Sequence, residues 1–378
     1  MEVEPASHFA QPAVPWIYYA QCGSGYLLSA TLCSAGARYL NELLMASFRL
    51  TALAAALSLA GGAAAAAVPT LTLNNGVQIP RMLLGTGGGG GGYNVSAWLE
   101  VAAPLGTGFD TAYTYCYNSA APFCSHVSIY NAVAQSGLNP SSLFYISKTE
   151  PEDFGPVAYM SGFGRVVDRG ILQDMAISKV DMLMAHQAGR HETDSNFRPP
   201  CFDASAAGPA GNGSYYACRV QMMQAFLAIQ KAGQARSVAV SNWQVRDLQQ
   251  VFDATGAFPA ANEIEVHPYW HEDDTIRFCQ AHNITIVNYA PVSMNNPALM
   301  KEPAVLAAAA AHGVTPAQVV IRWGLQFTGG VSIPRSANQQ HMRDNLAVFG
   351  FELTPAEMAS MSSYPQKKIF NVYCQPWC

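Results

Sequence analysis

The stretch Phe109-Asp110-Thr111-Ala112-Tyr113-Thr114-Tyr115 places an acid and a phenol five residues apart, after a short apolar entry. Two later apolar runs also lead to ionisable side chains: residues 143–147 are followed by Lys148, and residues 180–185 are followed by His186. We interpret each run as a strand that delivers an ionisable group at its carboxyl end. A (β/α)8 barrel carries its chemistry in this way, at the ends of several different strands.

Each of these residues has an ordinary structural explanation when it is taken alone. Asp110 suits a helix cap, and Tyr115 suits an aromatic position at a rim. Taken alone, Lys148 is most simply a solvent-exposed lysine. His186 is most simply a histidine whose hydrogen bonds are made beneath a loop. Their order along the chain and their shared position at strand ends favour one functional site.

Strand-like and helix-like patterns alternate along the chain after an N-terminal hairpin. An Asn-Gly turn between residues 70–73 and 77–80 predicts that hairpin. Strands are predicted at 82–84, 107–110, 143–147, 181–185, 237–240, 261–265, 284–288 and 331–333. Helices are predicted at 95–104, 127–135, 157–174, 220–232, 245–253, 274–281 and 303–311. Alternation implies a parallel sheet and eight units imply closure, so we predict an α/β fold, a (β/α)8 TIM barrel.

The composition fits one large domain with extensions. The chain has 378 residues, of which 50 % are apolar. Only 12 % are charged, where about 25 % is usual. The net charge is −5 and no basic run is present, which argues against nucleic acid as a partner.

Residues 45–67 have the layout of a secretory signal peptide. A positive charge at Arg49 is followed by an apolar run and then by small residues up to Ala67, near which we expect cleavage. A membrane anchor is the alternative, but the run is short and Ala-rich, and a spanning helix needs about 20 firmly apolar residues. Residues 1–44 are an uncertain leader, either unstructured or upstream of a true start at Met45. We expect a secretory or extracellular location, with membrane-anchored and organellar locations as the alternatives.

The cysteines fit a secreted chain. Nine are present and seven lie after Ala67. Six of these seven form three local candidate disulfide pairs: Cys116 with Cys124, Cys201 with Cys218, and Cys374 with Cys378. Cys279 lies in a helical pattern, and we expect it to be a buried thiol. No Cys-x-x-Cys pair faces a second one, so no metal site is predicted.

Two segments break the alternation. The insert at 189–217 follows the fourth strand and contains prolines and glycines without periodicity. It is either part of a substrate pocket or a surface loop. The glycine run at 87–92 lacks the Gly-x-Gly-x-x-Gly spacing, so a flexible loop is favoured over a phosphate cradle.

The strand-end residues and several later motifs resemble those of the aldo-keto reductases. In chain order these are Asp110-Thr111-Ala112 with Tyr115, Lys148, His186, Val240-Ser241-Asn242-Trp243, Asn262-Glu263-Ile264-Glu265-Val266-His267-Pro268-Tyr269 and Ile333-Pro334-Arg335-Ser336. The resemblance runs from about residue 70 to residue 361. It assigns residues 68–378 to an aldo-keto-reductase-like barrel whose floor the N-terminal hairpin closes.

The resemblance implies NADPH-dependent reduction of aldehydes or ketones to alcohols, with a tetrad of Asp110, Tyr115, Lys148 and His186. Chemical reasoning agrees with these roles. No side chain supplies hydride, so a nicotinamide cofactor must supply it. An ammonium lowers the pKa of a nearby phenol, which suits Lys148 beside a proton donor at Tyr115. Asp110 would hold Lys148 in place, and His186 would orient the substrate carbonyl.

The resemblance also implies a set of cofactor-binding positions. Ser241 and Asn242 match side chains that hold the nicotinamide carboxamide, and Tyr289 matches a ring that stacks on the nicotinamide. Arg335 and Ser336 follow the eighth strand, where a guanidinium and a hydroxyl suit a 2′-phosphate. The complete set is Thr86, Ser241, Asn242, Glu263, Tyr289, Arg335, Ser336, His341 and Asn345.

Several positions depart from the family pattern. Glu263 stands where a glutamine usually contacts the carboxamide, and a carboxylate there only accepts hydrogen bonds unless it is protonated. Arg335 replaces the commoner lysine, and His341 replaces an arginine that usually stacks on adenine. The Asn-Glu pair that usually follows the tyrosine is replaced by Cys116-Tyr117-Asn118. These departures leave the choice between NADP and NAD open.

Two functions are compatible with this pattern. The first is an NADP(H)-dependent carbonyl reductase acting on a small-molecule carbonyl substrate. The alternative is a non-catalytic nucleotide- or ligand-binding barrel that regulates a partner, which Glu263 and His341 favour mildly and the intact tetrad disfavours. We expect a monomer, with no nucleic-acid partner and no stable membrane span.

Overall fold

The computed structural model describes residues 67–87, 92–117, 124–150, 170–189, 201 and 215–370. Several sequence predictions lie outside the described residues. These are the leader at 1–44, the signal segment except its last residue, most of the helix at 157–174, most of the insert at 189–217, and the pair Cys374–Cys378.

A two-stranded antiparallel hairpin precedes the barrel. It pairs β1 (Thr70–Thr72) with β2 (Gln78–Pro80). Gly76 in the turn has a φ of 85°, a conformation that glycine adopts without steric cost. Asn75 Nδ2 donates a hydrogen bond to the carbonyl oxygen of Arg236 at 3.0 Å. The turn is therefore fastened at the amino end of a barrel strand, away from the strand ends that carry the ionisable residues.

Eight parallel strands follow in chain order and curl into a barrel. They are β3 (Leu84–Gly85), β4 (Gly108–Asp110), β5 (Phe144–Thr149), β6 (Val180–Ala185), β7 (Ala235–Ser241), β8 (Ala261–Glu265), β9 (Thr285–Tyr289) and β10 (Val331–Ser332). At the seam, Ser332 forms a parallel bridge with Met82. The N–H of Leu83 donates to the carbonyl oxygen of Ser332 at 3.2 Å. This arrangement confirms the predicted (β/α)8 barrel.

Two glycines permit close approaches between neighbouring strands. A Cβ atom at Gly108 would lie 1.8 Å from the carbonyl oxygen of Phe144. A Cβ atom at Gly85 would lie 2.5 Å from the carbonyl oxygen of Ile333, beside the seam. Any larger residue at these positions would push the backbones apart and misplace the strand ends that follow.

Helices connect and cover the strands. They are α1 (Val95–Ala102), α2 (Thr114–Tyr117), α3 (Ser125–Ser136), α4 (Gln173–Met175), α5 (Tyr216–Lys231), α6 (Val245–Thr255), α7 (Asp273–Ala281), α8 (Pro303–His312), α9 (Pro316–Thr328), α10 (Gln339–Leu346) and α11 (Pro355–Ser362). The predicted alternation provided a single helix between the last two strands and none after them. It therefore missed α9, α10 and α11.

The core has two apolar layers. One fills the barrel interior and includes Ile146, Met182 and Val287. The larger one lies between the barrel and its helices and includes the fully buried Trp98 and Trp243. Because close-packed interiors deform little, the strand ends above them are held in fixed positions.

Among the described residues, no single helix is long and apolar enough to cross a membrane. Helices α8 and α9 meet the length and composition criteria only as a pair, and that pair is bent by 96°.

Candidate active site

Three strands bring charged groups together around Lys148 at the carboxyl end of the barrel. Lys148, in β5, is fully buried and forms an ion pair with Asp110 at the end of β4. Its Nζ donates to the carbonyl oxygen of Thr111 at 3.2 Å. The same Nζ lies 3.4 Å from Oε1 of Glu263 in β8. The cluster thus holds two carboxyl groups for one ammonium.

The protonation states within this cluster follow from burial and charge. Burial alone would lower the pKa of Lys148, but Asp110 and Glu263 outweigh it and raise the pKa above its ordinary value. Burial raises the pKa of Glu263 well above its ordinary value, and Asp110 raises it further while Lys148 opposes this. Lys148 is therefore a cation, and Glu263 stays a neutral acid well above the pH at which a free glutamate ionises.

Tyr115 lies directly above the buried ammonium. It belongs to the short helix α2, which follows β4. The Nζ of Lys148 is 5.6 Å from the centroid of the Tyr115 ring. A Cβ atom at Gly87 would lie 2.8 Å from the Tyr115 hydroxyl oxygen, so glycine leaves room for the hydroxyl group. This places a phenol and a cation together, as the sequence predicts for Tyr115 and Lys148.

His186 completes the predicted group of four. It follows β6 and is 7 % exposed. Its ring is perpendicular to the Tyr115 ring at a centroid distance of 5.7 Å. Its backbone is held from both sides: the N–H donates to Thr149 O at 2.9 Å, and the carbonyl oxygen accepts from Asn242 Nδ2 at 3.1 Å.

Glu150 is a site residue that the sequence analysis missed. It follows β5 by one position, and its Oε1 accepts hydrogen bonds from His186 Nδ1 and, at 2.7 Å, from the Thr114 hydroxyl. The available signal was its place, two residues after Lys148 at the same strand end. Burial would raise the pKa of Glu150, but His186 and Lys148 outweigh this and hold the pKa below its ordinary value.

Asp110, Tyr115, His186 and Glu263 line an open cleft with about 1000 Å³ of empty space, part of it continuous with solvent. The polar lining groups of the cleft are Asp110, Tyr115, His186, Ser241, Asn242, Glu263, Tyr289, Asn295 and Arg335. Its apolar lining includes Ile333 and Phe370. Acidic, phenolic and imidazole groups facing one cleft can deliver a proton to a bound ligand.

Comparison with known proteins shows to which family this chain is similar. Residues 167–364, more than half of the chain, match the Aldo/keto reductase family. An aldo-keto reductase of Mycolicibacterium smegmatis is 30 % identical over 298 residues, which cover 79 % of this chain and 91 % of that protein. The chain belongs to the aldo-keto reductase family. An aldo-keto reductase of Mycobacterium sp. strain MCS is also 30 % identical, over 81 % of this chain and 94 % of that protein.

Solved structures confirm the fold of this aldo-keto reductase. An aldo-keto reductase from a Medee basin deep-sea metagenome library covers 81 % of this chain and 99 % of its own, with 24 % identity and a TM-score of 0.65. An aldo/keto reductase from Brucella melitensis covers 78 % and 98 %, with 22 % identity and a TM-score of 0.61. Family membership makes this protein an oxidoreductase that acts on carbonyl compounds.

The residues at the base of the cleft fit the nicotinamide end of the cofactor that this family implies. Ser241 ends β7 and Asn242 follows it, and Asn242 Oδ1 accepts from the Tyr289 hydroxyl at 2.9 Å. Oε2 of Glu263 is buried without a hydrogen-bond partner among the described residues. A carboxamide offers both a donor and an acceptor, so a neutral Glu263 suits it as a glutamine would. Asn242 reaches this place with a φ of 62°, a conformation that asparagine tolerates.

The other end of the cleft fits a phosphate. Arg335 follows β10, and its Nη1 donates to the carbonyl oxygen of Gly87 at 2.7 Å. A Cβ atom at Gly92 would lie 3.1 Å from the Arg335 guanidinium carbon, so both ends of the glycine run lie against this cation. Helix α10 begins four residues after Arg335, and helix N-termini favour anions.

Four predicted cofactor residues lie outside the lining of this cleft among the described residues. The Thr86 hydroxyl donates to the carbonyl oxygen of Asp110 at 2.9 Å, so it supports the end of β4. The Ser336 hydroxyl bonds with the backbone of Asn338 at the start of α10. His341 is exposed on α10 and Asn345 is buried on the same helix. The roles assigned to these four residues stay predictions.

Two residues that the sequence analysis did not assign to the site are Phe370, in the C-terminal segment at residues 363–370, and Glu265, which ends β8. Phe370 lines the cleft and meets the Tyr289 ring edge to face at 5.6 Å. The buried carboxylate of Glu265 holds this segment, because it accepts the backbone N–H groups of Ile369 at 2.8 Å and Phe370 at 3.0 Å. No periodicity in the sequence indicates a contact between residues a hundred positions apart.

A disulfide joins Cys116, the neighbour of Tyr115, to Cys124. A second joins Cys201 to Cys218, and Cys279 is a buried thiol. These pairings match the hypothesis from spacing. Cys116 and Cys124, with His126 and Asp174, form the one cluster among the described residues that has metal-ligand spacing. The disulfide withholds both sulfurs as thiolate ligands.

Proposed function

We propose that this protein reduces aldehydes or ketones to alcohols with NADPH, and that Tyr115 donates the proton. One observation carries the proposal: a fully buried Lys148, paired with Asp110, lies 5.6 Å from the ring of a cleft-lining tyrosine. An ammonium held this close to a phenol favours the ionised form of that phenol. The phenolate left after proton donation is that ionised form.

The side chains divide the work around the carbonyl oxygen. Ser241, Asn242, Glu263 and Tyr289 would hold a reduced nicotinamide, which would supply hydride to the carbonyl carbon. Tyr115 gives its proton to the oxygen, and the ammonium of Lys148 stabilises the phenolate that remains. Asp110 fixes the ammonium in place. His186 orients the carbonyl oxygen by a hydrogen bond, so that carbon and oxygen react in one geometry.

Arg335 supports NADPH as the preferred cofactor. Its guanidinium lines the cleft and follows the last strand of the barrel, where barrel enzymes often bind phosphate. Arginine binds phosphate oxygens through two parallel N–H groups. We assign it to the 2′-phosphate that distinguishes NADPH from NADH.

The test is reduced-nicotinamide oxidation by protein that begins at Val68. NADPH and NADH are each supplied with a panel of aldehydes and ketones, and Tyr115→Phe is measured beside the wild type. We expect turnover to fall about 100-fold or more in the variant, because a general acid contributes about that much, while cofactor binding is retained. An unchanged rate would reject Tyr115 as the acid. Cofactor binding without any turnover in the wild type would favour the regulatory binding barrel.

We also propose that the barrel is exported after cleavage near Ala67. The support is the signal-like layout of residues 45–67 and the cysteine pairs that oxidising compartments allow. N-terminal sequencing of the native protein tests this. A mature chain that begins close to Val68 agrees with export, whereas residues upstream of Met45 would refute the assignment.

A further inference from the structure

Glu150 contacts both His186 and the helix that carries Tyr115, the two groups that flank the reacting carbonyl in the proposed function. Strands β5 and β6 are paired up to Thr149 and Ala185, so Glu150 and His186 leave the sheet side by side. The carboxylate accepts from His186 Nδ1. It also accepts from the hydroxyl of Thr114, which begins the helix that carries Tyr115. One buried carboxylate thus orients the imidazole and the helix that presents the phenol.

A carboxylate and an imidazole restrict each other's protons. An ionised carboxylate has no proton to donate, so Nδ1 of His186 must carry the hydrogen in the contact with Glu150. The low pKa of Glu150 keeps the group ionised. The neutral ring then has a bare Nε2, which can accept a hydrogen bond but cannot donate one to a carbonyl oxygen.

We propose that Glu150 is a positioning residue that fixes Nδ1 of His186 as the protonated nitrogen, so that His186 donates to a substrate carbonyl only when its ring carries both protons. This inference rests on the proposed carbonyl reduction. No additional proton transfer is involved: hydride reaches the carbon, Tyr115 protonates the oxygen, and His186 only donates a hydrogen bond. In the reverse direction, the neutral ring accepts the hydroxyl hydrogen of an alcohol and orients that substrate.

Several charged groups surround this pair among the described residues. Lys148 faces it from β5, and Tyr115 faces it from α2. Asp110 and Glu263 lie on the far side of Lys148. Glu150 is the charged group in hydrogen-bond contact with Nδ1, so we assign the choice of the protonated nitrogen to it.

The tautomer can be observed directly. A ¹⁵N-resolved imidazole spectrum of the neutral ring, recorded on wild-type protein starting at Val68, identifies the nitrogen that carries the hydrogen. Resonances absent from a His186→Ala sample assign the ring. We expect hydrogen on Nδ1. Hydrogen on Nε2 in the neutral ring would overturn the proposal, whether or not the protein turns over a substrate.

Kinetics provides the second arm, with Glu150→Gln as the variant. The amide of glutamine can donate to Nδ1, which releases Nε2 to carry the hydrogen in the neutral ring. Wild-type kcat/KM for carbonyl reduction should fall as pH rises, because a ring with hydrogen only on Nδ1 cannot donate to the carbonyl oxygen. The variant should be slower at low pH and should hold its rate over at least one further pH unit.

The control variant makes the same glutamate-to-glutamine change at a histidine–glutamate contact away from the cleft. His312 and Glu357 form another histidine–glutamate contact, at 3.2 Å between α8 and α11. Glu357→Gln should leave the pH profile of reduction unchanged. Parallel profiles for wild type and Glu150→Gln would overturn the proposal. A wild type that reduces no carbonyl at any pH would instead reject the proposed function, and the imidazole spectrum would still decide the role of Glu150.

Discussion

At the scale of single residues, Glu263 is the departure from the family pattern with the clearest physical consequence. Its pKa is raised in the folded protein, chiefly by burial, so its ionisation is opposed by folding. Stability from this group is complete below the ordinary glutamate pKa and is lost as pH rises toward the folded pKa. Each pH unit in that interval costs about 1.4 kcal/mol.

Glu263→Gln should therefore stabilise the protein at neutral pH. Glutamine does not ionise, has nearly the same shape, and keeps a carbonyl oxygen for Lys148. Thermal unfolding from pH 4 to pH 8 should show a higher Tm for the variant at pH 7, with the difference vanishing near pH 4. Glu100→Gln is the matched control, since Glu100 is exposed on α1 and its carboxylate accepts from the uncharged Gln339 side chain. A variant that is less stable than the wild type at pH 7 would contradict a neutral Glu263.

Arg335 sets the cofactor preference if it binds the 2′-phosphate. Replacing it with methionine removes a charged hydrogen-bond donor, worth about 1.5–3 kcal/mol, which is about 10- to 100-fold in affinity. Fluorescence titration should show that loss for NADPH and a change below about threefold for NADH. Arg343→Met, which replaces an exposed arginine on the nearby helix α10, should change neither. Equal losses for both cofactors would remove the 2′-phosphate assignment.

At the scale of elements, strand ends were predictable and some helices were not. The apolar runs of β5 and β6 predicted strands within two residues, because both faces of a parallel barrel strand are buried. The missed helices α9 and α11 each begin with a capping box. Thr315 and Thr354 accept the N–H three residues on, and proline follows each of them. That local signal was present, but strict alternation provided no place for these helices.

The C-terminal segment should act as a separate element over the cleft, held by Glu265. Glu265→Gln replaces one acceptor oxygen with an amide that faces backbone donors, so the segment should loosen. We expect KM for the carbonyl to rise about tenfold with kcat nearly unchanged, a loss of about 1.4 kcal/mol in binding. Hydrogen exchange at the Ile369 and Phe370 amides, each within 3.0 Å of the carboxylate, should accelerate.

Phe370→Ala tests the contribution of the ring apart from the backbone hydrogen bonds that hold its segment. It should raise KM by removing a ring from the cleft wall, while the Ile369 amide stays protected by Glu265. If Glu265→Gln accelerates exchange but leaves KM unchanged, the segment does not contribute to substrate binding.

At the scale of the whole molecule, the sequence predicted the residues that local order places and missed those that long-range packing places. Asp110 ends β4, Lys148 lies near the end of β5 and His186 follows β6, so barrel closure alone brings them together. The raised pKa of Glu263 depends on its burial and on its closeness to Asp110. Neither feature produces a periodic pattern in the sequence from which it could be predicted. Phe370 reaches the cleft because Glu265 binds the backbone of its segment, and a backbone contact leaves no side-chain pattern to read.

At the same scale, the cysteines allow a prediction of how many free thiols the protein contains. Protein starting at Val68 contains seven cysteines. Two pairs are joined in the structure, and a third, Cys374–Cys378, is predicted, which leaves Cys279 as the single thiol. Burial raises the pKa of Cys279 to about 12, so it should not react in the folded protein at pH 8.

A thiol-reagent titration of this protein should count no reactive thiol in the native state and one after unfolding. When the protein is reduced and then unfolded, all seven cysteines should react. Reduction should also lower stability, because closing a loop of about 15 residues contributes about 3 kcal/mol, and Cys201 and Cys218 are 17 positions apart. Seven reactive thiols without reduction would show that the pairs do not form, and would remove the main support for export into an oxidising compartment.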